Sequence, residues 1–372
     1  MIYVLKEQTI FYYLLTVKRL LHWTTVVPVI SWSVYLFDHA PSAGWLQLVV
    51  AFLLVGSVLA AVHHSEVIAH RVGEPFGTVV LAISITAIEV SLIVTLMLSG
   101  GEQTRFLARD TVFSAVMLIM NGLLGACLLI GGIRHREQFF QRTSANTALV
   151  SLVAIIVLTF LLPNYTTSIK GPSYNTAQLI FISIACLIIY GSFLLIQTVR
   201  HKEYFITPEE EGDESHIHHP GNADTAFSLL MLLISLTIVV LLAKSLSPAI
   251  TTAIENAGLP ESLVGVVIAA VILLPEGIAA IKAARKNKLQ TSINLTLGSA
   301  LASIGLTIPA VAVIAVVFDM QLVLGIDAKA TALAMLSIFT VMLSLNRGKT
   351  NVLYGIVLII NLLAYIFTII FP

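Results

Sequence analysis

The chain has 372 residues, of which 58% are hydrophobic and only 11% are charged, and its mean hydropathy is +0.96. A soluble domain carries about 25% charged residues, so this composition excludes a water-covered globular protein and indicates a polytopic membrane protein. The formal net charge is zero, which argues against nucleic acid as a partner. Cys127 and Cys186 both fall in apolar runs, and they indicate neither a disulfide framework nor a zinc site.

Apolar runs long enough to cross about 30 Å of hydrocarbon can be read eleven times along the chain. The predicted fold is therefore all-α, with eleven transmembrane helices. The first run is the weakest, because it is short and contains Pro28. The runs are 22–38, 45–68, 75–99, 110–133, 146–163, 177–199, 225–244, 259–282, 291–318, 326–345 and 350–371.

Lysine and arginine are unequally distributed between the two sides that these runs define. With a cytoplasmic N-terminus, fifteen of the twenty lie in cytoplasmic segments and five lie on the other side. Cytoplasmic loops of membrane proteins carry an excess of these residues, so we expect the N-terminus inside and the C-terminus outside.

Setting the first run aside leaves two groups of five. An odd number of spans makes the second group enter the membrane in the opposite direction, which is the inverted-repeat plan of many secondary transporters. The predicted organisation is an N-terminal segment and leading helix (1–44), a first five-helix repeat (45–200), a cytoplasmic loop (201–224) and an inverted second repeat (225–372).

Each repeat carries one glutamate near the middle of an apolar stretch that contains no lysine or arginine, Glu89 in 76–98 and Glu276 in 263–281. A charge at the bilayer centre costs at least ~2.5–3.5 kcal/mol, so such a residue usually faces a polar cavity, takes up a proton or binds a cation. A glycine and a second acid precede each glutamate at similar distances. They are Gly77 and Glu66 before Glu89, and Gly265 and Glu255 before Glu276. We therefore expect the two glutamates to approach each other from opposite sides of the membrane.

Other polar groups near the glutamates are candidate cation ligands. Pro275 directly precedes Glu276 and removes a backbone donor, so a freed carbonyl could serve as a ligand, or the kink could serve packing alone. Hydroxyl and amide side chains within about a turn of Glu89, or in the span that follows Glu276, could touch the ion or pack helices together. These are Ser84, Thr86, Asn294, Ser299 and Ser303.

Two long stretches resemble known signatures. Residues 65–93, SEVIAHRVGEPFGTVVLAISITAIEVSLI, resemble the first signature of the cation/proton exchangers of the calcium/cation antiporter superfamily. Residues 273–311, LLPEGIAAIKAARKNKLQTSINLTLGSALASIGLTIPAV, resemble the second. The segments FLLIQT (193–198) and RGKTNVLYG (347–355) make the ChaA-type bacterial antiporters the most similar branch.

This resemblance covers almost the whole chain and implies a leading helix followed by two inverted five-helix repeats in a bacterial inner membrane. It implies that Glu89 and Glu276 bind the ion and carry the proton, that Glu66 and Glu74 match acidic framework positions, and that Ca²⁺, Na⁺ or K⁺ is exchanged for protons. Cations and protons are then cargo, and no cofactor is expected.

The chain also departs from this pattern. Calcium-specific exchangers have an asparagine three residues before each glutamate and a glutamine in the second signature, and here those positions are Thr86, Leu273 and Ala302. Because Ca²⁺ prefers six to eight oxygen ligands, Ca²⁺ as the only substrate is in doubt and monovalent cations become more plausible.

The loop 207–224 contains the chain's densest charge, and it could act as a cation or pH sensor or as a solvated connector. The candidate regulatory residues in it are Glu209, Glu210, Glu211, Asp213, Glu214, His216, His218 and His219.

Rival functional classes are an intramembrane protease, a channel and a Na⁺-coupled Ca²⁺ exchanger. The protease would need mid-span aspartates or a serine–histidine pair, which the chain does not present. A channel would not couple cation movement to a proton gradient. The Na⁺-coupled exchanger would need more polar ligands around the two glutamates than the sequence offers.

Overall fold

Apolar runs organise the chain into helices in the computed structural model, which describes residues 21–37, 44–73, 76–100, 105–205, 220–260 and 262–371. Within these ranges there are eleven helical spans. They are α1 (Trp23–Phe37), α2 (Gly44–Val72), α3 (Phe76–Gly100), α4 (Leu107–His135), α5 (Arg142–Tyr165), α6 (Thr176–Arg200), α7 (Asn222–Asn256), α8 (Ser262–Arg285), α9 (Leu289–Val317), α10 (Ala328–Leu345) and α11 (Val352–Ile370).

The predicted all-α membrane fold is confirmed. Ten of the described helices, α2 to α11, are long and apolar enough to cross a membrane. Helix α1 has 15 residues, which span about 22 Å at 1.5 Å per residue, so it is shorter than the hydrocarbon core. It packs along α2, where the Ser31 and Ser57 hydroxyls are 2.9 Å apart.

Helix α7 is longer than the predicted run 225–244, because it continues through Lys244 and Pro248 to Asn256. Hydropathy marks only the part of a helix that suits hydrocarbon, whereas backbone hydrogen bonding continues into the polar flank. Glu255, placed in a connection by the sequence pattern, therefore lies in the last turn of α7, and it is exposed.

The connections meet at two opposite ends of the helix bundle. At one end, strand β1 (Gln138–Phe139) pairs with strand β2 (Lys349–Thr350), and the Gln138 side chain donates to the carbonyl oxygen of Ala284 at 3.1 Å. We call this the basic end, defined by segments 136–141, 201–205, 286–288 and 346–351. Its basic residues are Arg136, Lys202, Lys286, Lys288, Arg347 and Lys349.

At the other end, the Val323 amide donates to the Arg105 carbonyl at 3.4 Å, and the Asn164 side chain donates to the Ile326 carbonyl at 2.7 Å. Because α3 leads to this end and α8 leads to the basic end, the two glutamate-bearing helices run in opposite directions. That is the direction an inverted repeat requires, while the repeat boundaries at 45–200 and 225–372 stay a prediction.

Helices α4 and α11 pack closely through glycines. A Cβ on Gly355 would lie against the backbone nitrogen of Leu129 and 2.7 Å from its Cα. On the facing helix, a Cβ on Gly125 would lie 3.0 Å from the Cβ of Leu358. Small residues at such crossings let helix backbones approach, which drives association where lipid removes the hydrophobic effect.

We expect Gly355→Ala to destabilise the protein by about 1–3 kcal/mol, because the added methyl group meets backbone atoms rather than a movable side chain. The measurement is thermal unfolding of the detergent-solubilised protein. Gly191→Ala in α6 is the matched control, since nothing lies within 4 Å of its Cβ position. Equal unfolding temperatures for the two variants would contradict this packing.

Candidate functional site

The two glutamates are buried in the interior of the bundle. Glu89 on α3 is 4% exposed and Glu276 on α8 is 8% exposed. No lysine or arginine contacts either side chain among the described residues, so neutral groups must satisfy the carboxylate oxygens.

Hydroxyl groups of α9 satisfy them. The Ser299 hydroxyl donates to Oε2 of Glu276 at 2.8 Å, and the Ser303 hydroxyl donates to Oε1 of Glu89 at 2.7 Å. The Thr307 hydroxyl donates to Oε2 of Glu89 at 3.0 Å. We call these three residues the hydroxyl ladder.

Residues four apart lie on one face of a helix, with Cβ atoms about 5–6 Å apart. Since Ser299 holds Glu276 and Ser303 holds Glu89, the two carboxylates meet within about one turn of α9. Both serines were predicted from the sequence as candidate ligands, whereas Thr307 was not. The spacing of four that continues from Ser303 to Thr307 was the available signal.

Both glutamates lie at the inner end of a cavity of about 500 Å³. One face of α9 forms a wall of this cavity from Thr291 to Ser303, a length of about 18 Å at the helical rise. Phe205 and Lys288 border the cavity at the basic end. The carboxylates are therefore approached from the basic end.

The remaining predicted ligands have different surroundings. Thr86 and Pro275 line the cavity. Ser84 is not among the lining residues, and its hydroxyl donates to the Val80 carbonyl of its own helix at 2.8 Å. Asn294 lines the cavity, but its amide nitrogen donates to the carbonyl oxygen of Phe205 at 2.6 Å. Asn294 therefore ties the segment after α6 to the cavity wall.

Of the other acids predicted from the sequence, Glu66 and Glu255 lie in different parts of the protein. Glu66, near the end of α2, lines the cavity. Glu255 lies at the other end of the bundle, where the cavity does not reach. Glu74 and the candidate regulatory residues lie outside the described residues. They are Glu209, Glu210, Glu211, Asp213, Glu214, His216, His218 and His219.

No group of three or more histidine, cysteine, aspartate or glutamate side chains in the described part of the chain could hold a metal ion. A cation at the inner end of the cavity would have the two carboxylates and the hydroxyl ladder as its polar surroundings. Hydroxyl and carboxylate oxygens are ligands that hard cations accept.

The sequence profile of the sodium/calcium exchanger protein family matches residues 42–199 and 227–371. The chain is 46% identical to a protein of Sinorhizobium fredii named for ionic transport, over 89% of this chain and 93% of that protein. It is 32% identical to the sodium-potassium/proton antiporter ChaA of Escherichia coli, over 87% of this chain and 88% of ChaA.

The structure of native YfkE matches this fold with a TM-score of 0.73 at 18% identity, covering 94% of this chain and 99% of YfkE. The H⁺/Ca²⁺ exchanger CAX matches with a TM-score of 0.69 at 14% identity, covering 92% of this chain and 86% of CAX. These two likenesses show a shared fold.

We expect the cavity to admit water-soluble reagents. Thr291 is exposed on the cavity wall, whereas Thr296 of the same helix is fully buried. A polar maleimide should label Thr291→Cys roughly tenfold or more faster than Thr296→Cys, because thiol reactivity depends on access. Native Cys127 and Cys186 are buried and should give a low background, read by mass spectrometry. Equal labelling of the two variants would contradict a water-accessible cavity.

Proposed function

The chain belongs to the sodium/calcium exchanger protein family, and on that premise we propose that this cation/proton antiporter exchanges cytoplasmic Na⁺, K⁺ or Ca²⁺ for protons at Glu89 and Glu276. Members of this family are transporters, and the chain is not an enzyme. The observation that carries the proposal is the meeting of two buried carboxylates at the inner end of a cavity that reaches one end of the bundle.

Exchange requires that a proton and a cation exclude one another at one site. A carboxylate can be neutralised by either, and burial makes some neutralisation necessary. The hydroxyl ladder can serve both the free carboxylate and the cation-bound carboxylate, because a hydroxyl group has one donor hydrogen and two acceptor lone pairs. Ser299, Ser303 and Thr307 can donate to a free carboxylate and turn their lone pairs toward a bound cation.

Alternating access also requires a barrier on the far side of the glutamates. About one and two turns beyond Glu89, Leu92 and Leu96 of α3 face Val264 and Ile268 of α8 around a small apolar pocket of about 30 Å³. All four side chains are buried. We propose that this apolar layer closes the path to the end opposite the basic end, and that it opens when the basic end closes.

Two observations favour monovalent cations as substrates. The relative from Escherichia coli at 32% identity is named a sodium-potassium/proton antiporter. The positions where calcium-specific exchangers carry amides are Thr86, Leu273 and Ala302 here, and all three line the cavity. The site therefore depends on carboxylate and hydroxyl oxygens, which do not exclude Ca²⁺.

Replacing either glutamate with glutamine should abolish cation-driven proton flux, since an amide neither exchanges a proton nor carries the charge that binds a cation. The measurement is the pH change in everted membrane vesicles on addition of Na⁺, K⁺ and Ca²⁺ in turn. Glu255→Gln is the control, because Glu255 is exposed and lies away from the cavity. Flux surviving in both Glu89→Gln and Glu276→Gln would refute the mechanism. Ca²⁺ movement that needs Na⁺ and no pH gradient would favour the Na⁺-coupled alternative.

We further propose that the protein lies in the bacterial inner membrane with its basic end in the cytoplasm, as the excess of lysine and arginine there favours. Two exposed lysines at opposite ends make a matched pair, Lys286 and Lys170. In intact spheroplasts an impermeant maleimide should label Lys170→Cys and spare Lys286→Cys, and in everted vesicles the pattern should reverse. The opposite labelling would invert the proposed orientation.

A further inference from the structure

Tyr190 lies at the inner end of the cavity, on the wall formed by α6. It falls outside the two signature stretches 65–93 and 273–311. Helix α6 contributes Tyr190, Phe193, Leu194 and Gln197 to the lining, at the spacing of one helical face. Because α6 ends at the basic end, Tyr190 is the deepest of the four. Its side chain is only 4% exposed.

A glycine of α9 makes room for this ring. A Cβ on Gly305 would lie 2.8 Å from Cβ of Tyr190 and 3.0 Å from Cγ. Gly305 stands two residues from both Ser303 and Thr307, so the ring packs at the same level of α9 as these residues but on a different face from the hydroxyl ladder. The glycine and the tyrosine together bring α6 against the part of α9 that holds Glu89.

The Tyr190 hydroxyl differs from those of other buried tyrosines. Tyr174 donates to the Leu158 carbonyl at 2.6 Å, and the Tyr365 hydroxyl is 2.9 Å from that of Ser114. Within the described part of the chain, the Tyr190 hydroxyl has no hydrogen-bond partner. Its oxygen atom is not fully buried. Buried tyrosine hydroxyls normally find a partner, so this one opens on the cavity.

The phenol shares its cavity with a carboxylate of the site. Tyr190 and Glu276 both line this cavity, and the Glu276 carboxylate is close enough to act electrostatically on the phenol. Among the residues that the structure describes, Glu276 accepts only the Ser299 hydroxyl, through Oε2, whereas both oxygens of Glu89 accept hydroxyls of the ladder. Glu276 therefore has fewer hydrogen-bond partners than Glu89, and the Tyr190 side chain lines the same cavity.

We propose that the Tyr190 hydroxyl is a ligand of the transported cation, completing its coordination beside Glu276. The inference rests on the proposed antiport function and deepens it. A neutral phenolic oxygen suits a hard cation and adds coordination without adding charge. The aromatic ring can also attract a cation that lies over its face. Tyr190 thus supplies an oxygen in a site that has no amide at Thr86, Leu273 or Ala302.

The test is Tyr190→Phe, which keeps the ring against Gly305 and removes only the hydroxyl. In proteoliposomes of purified protein, the half-saturating concentration of at least one of Na⁺, K⁺ and Ca²⁺ should rise roughly fivefold or more, as expected for one lost polar contact to a charge. The affinity of the detergent-solubilised protein for the same cation, measured by calorimetry, should fall by a similar factor.

Tyr365→Phe is the matched control, because it removes a buried phenolic hydroxyl that does not line the cavity. It should leave both measurements unchanged. Gly305→Ala, which displaces the Tyr190 ring, should weaken cation binding as Tyr190→Phe does. Unchanged binding and half-saturation for all three cations in Tyr190→Phe would overturn the inference while leaving antiport intact. Wild-type protein without cation-driven proton flux would instead overturn the proposed function.

Discussion

The structure depends on how two carboxyl groups can be held inside a membrane without a basic partner. An isolated buried charge is too costly, and a buried ion pair would occupy the carboxylates permanently. The hydroxyl ladder of α9 offers neutral donors instead, with Ser303 and Thr307 on Glu89 and Ser299 on Glu276. Neutral donors orient the carboxylates without balancing their charge, which is the condition that the proposed exchange of a proton for a cation requires.

That constraint also explains why α9 is central to the bundle. It must contact both glutamate-bearing helices, so it lies between oppositely directed α3 and α8, and most of its apolar residues are buried. Its small residues let neighbours approach, as Gly305 does for Tyr190. The same helix forms the long wall of the cavity, and thereby links the entrance at Lys288 with the inner end at Ser303.

Hydropathy predicted eleven spans in the observed order, of which α1 is shorter than the hydrocarbon core, and the two mid-span glutamates were evident as acids in apolar runs. The end of α7 was not evident, since the helix continues through Lys244 and Pro248 after the apolar pattern stops. Ser84 and Ser303 were both predicted from the sequence as candidate cation ligands. In the fold, Ser84 bonds its own helix and Ser303 bonds Glu89.

The sequence by itself determined the membrane fold, the order of the spans and the presence of one glutamate within an apolar stretch of each half, because burial energy depends on residue type and local order. Tertiary structure alone decided which hydroxyls face those carboxylates, that the cavity reaches the basic end, and that Tyr190 joins its wall. These features depend on contacts between residues more than a hundred positions apart, such as Thr307 with Glu89 and Gly305 with Tyr190. Helical periodicity places a residue on a face, but only packing decides what that face meets.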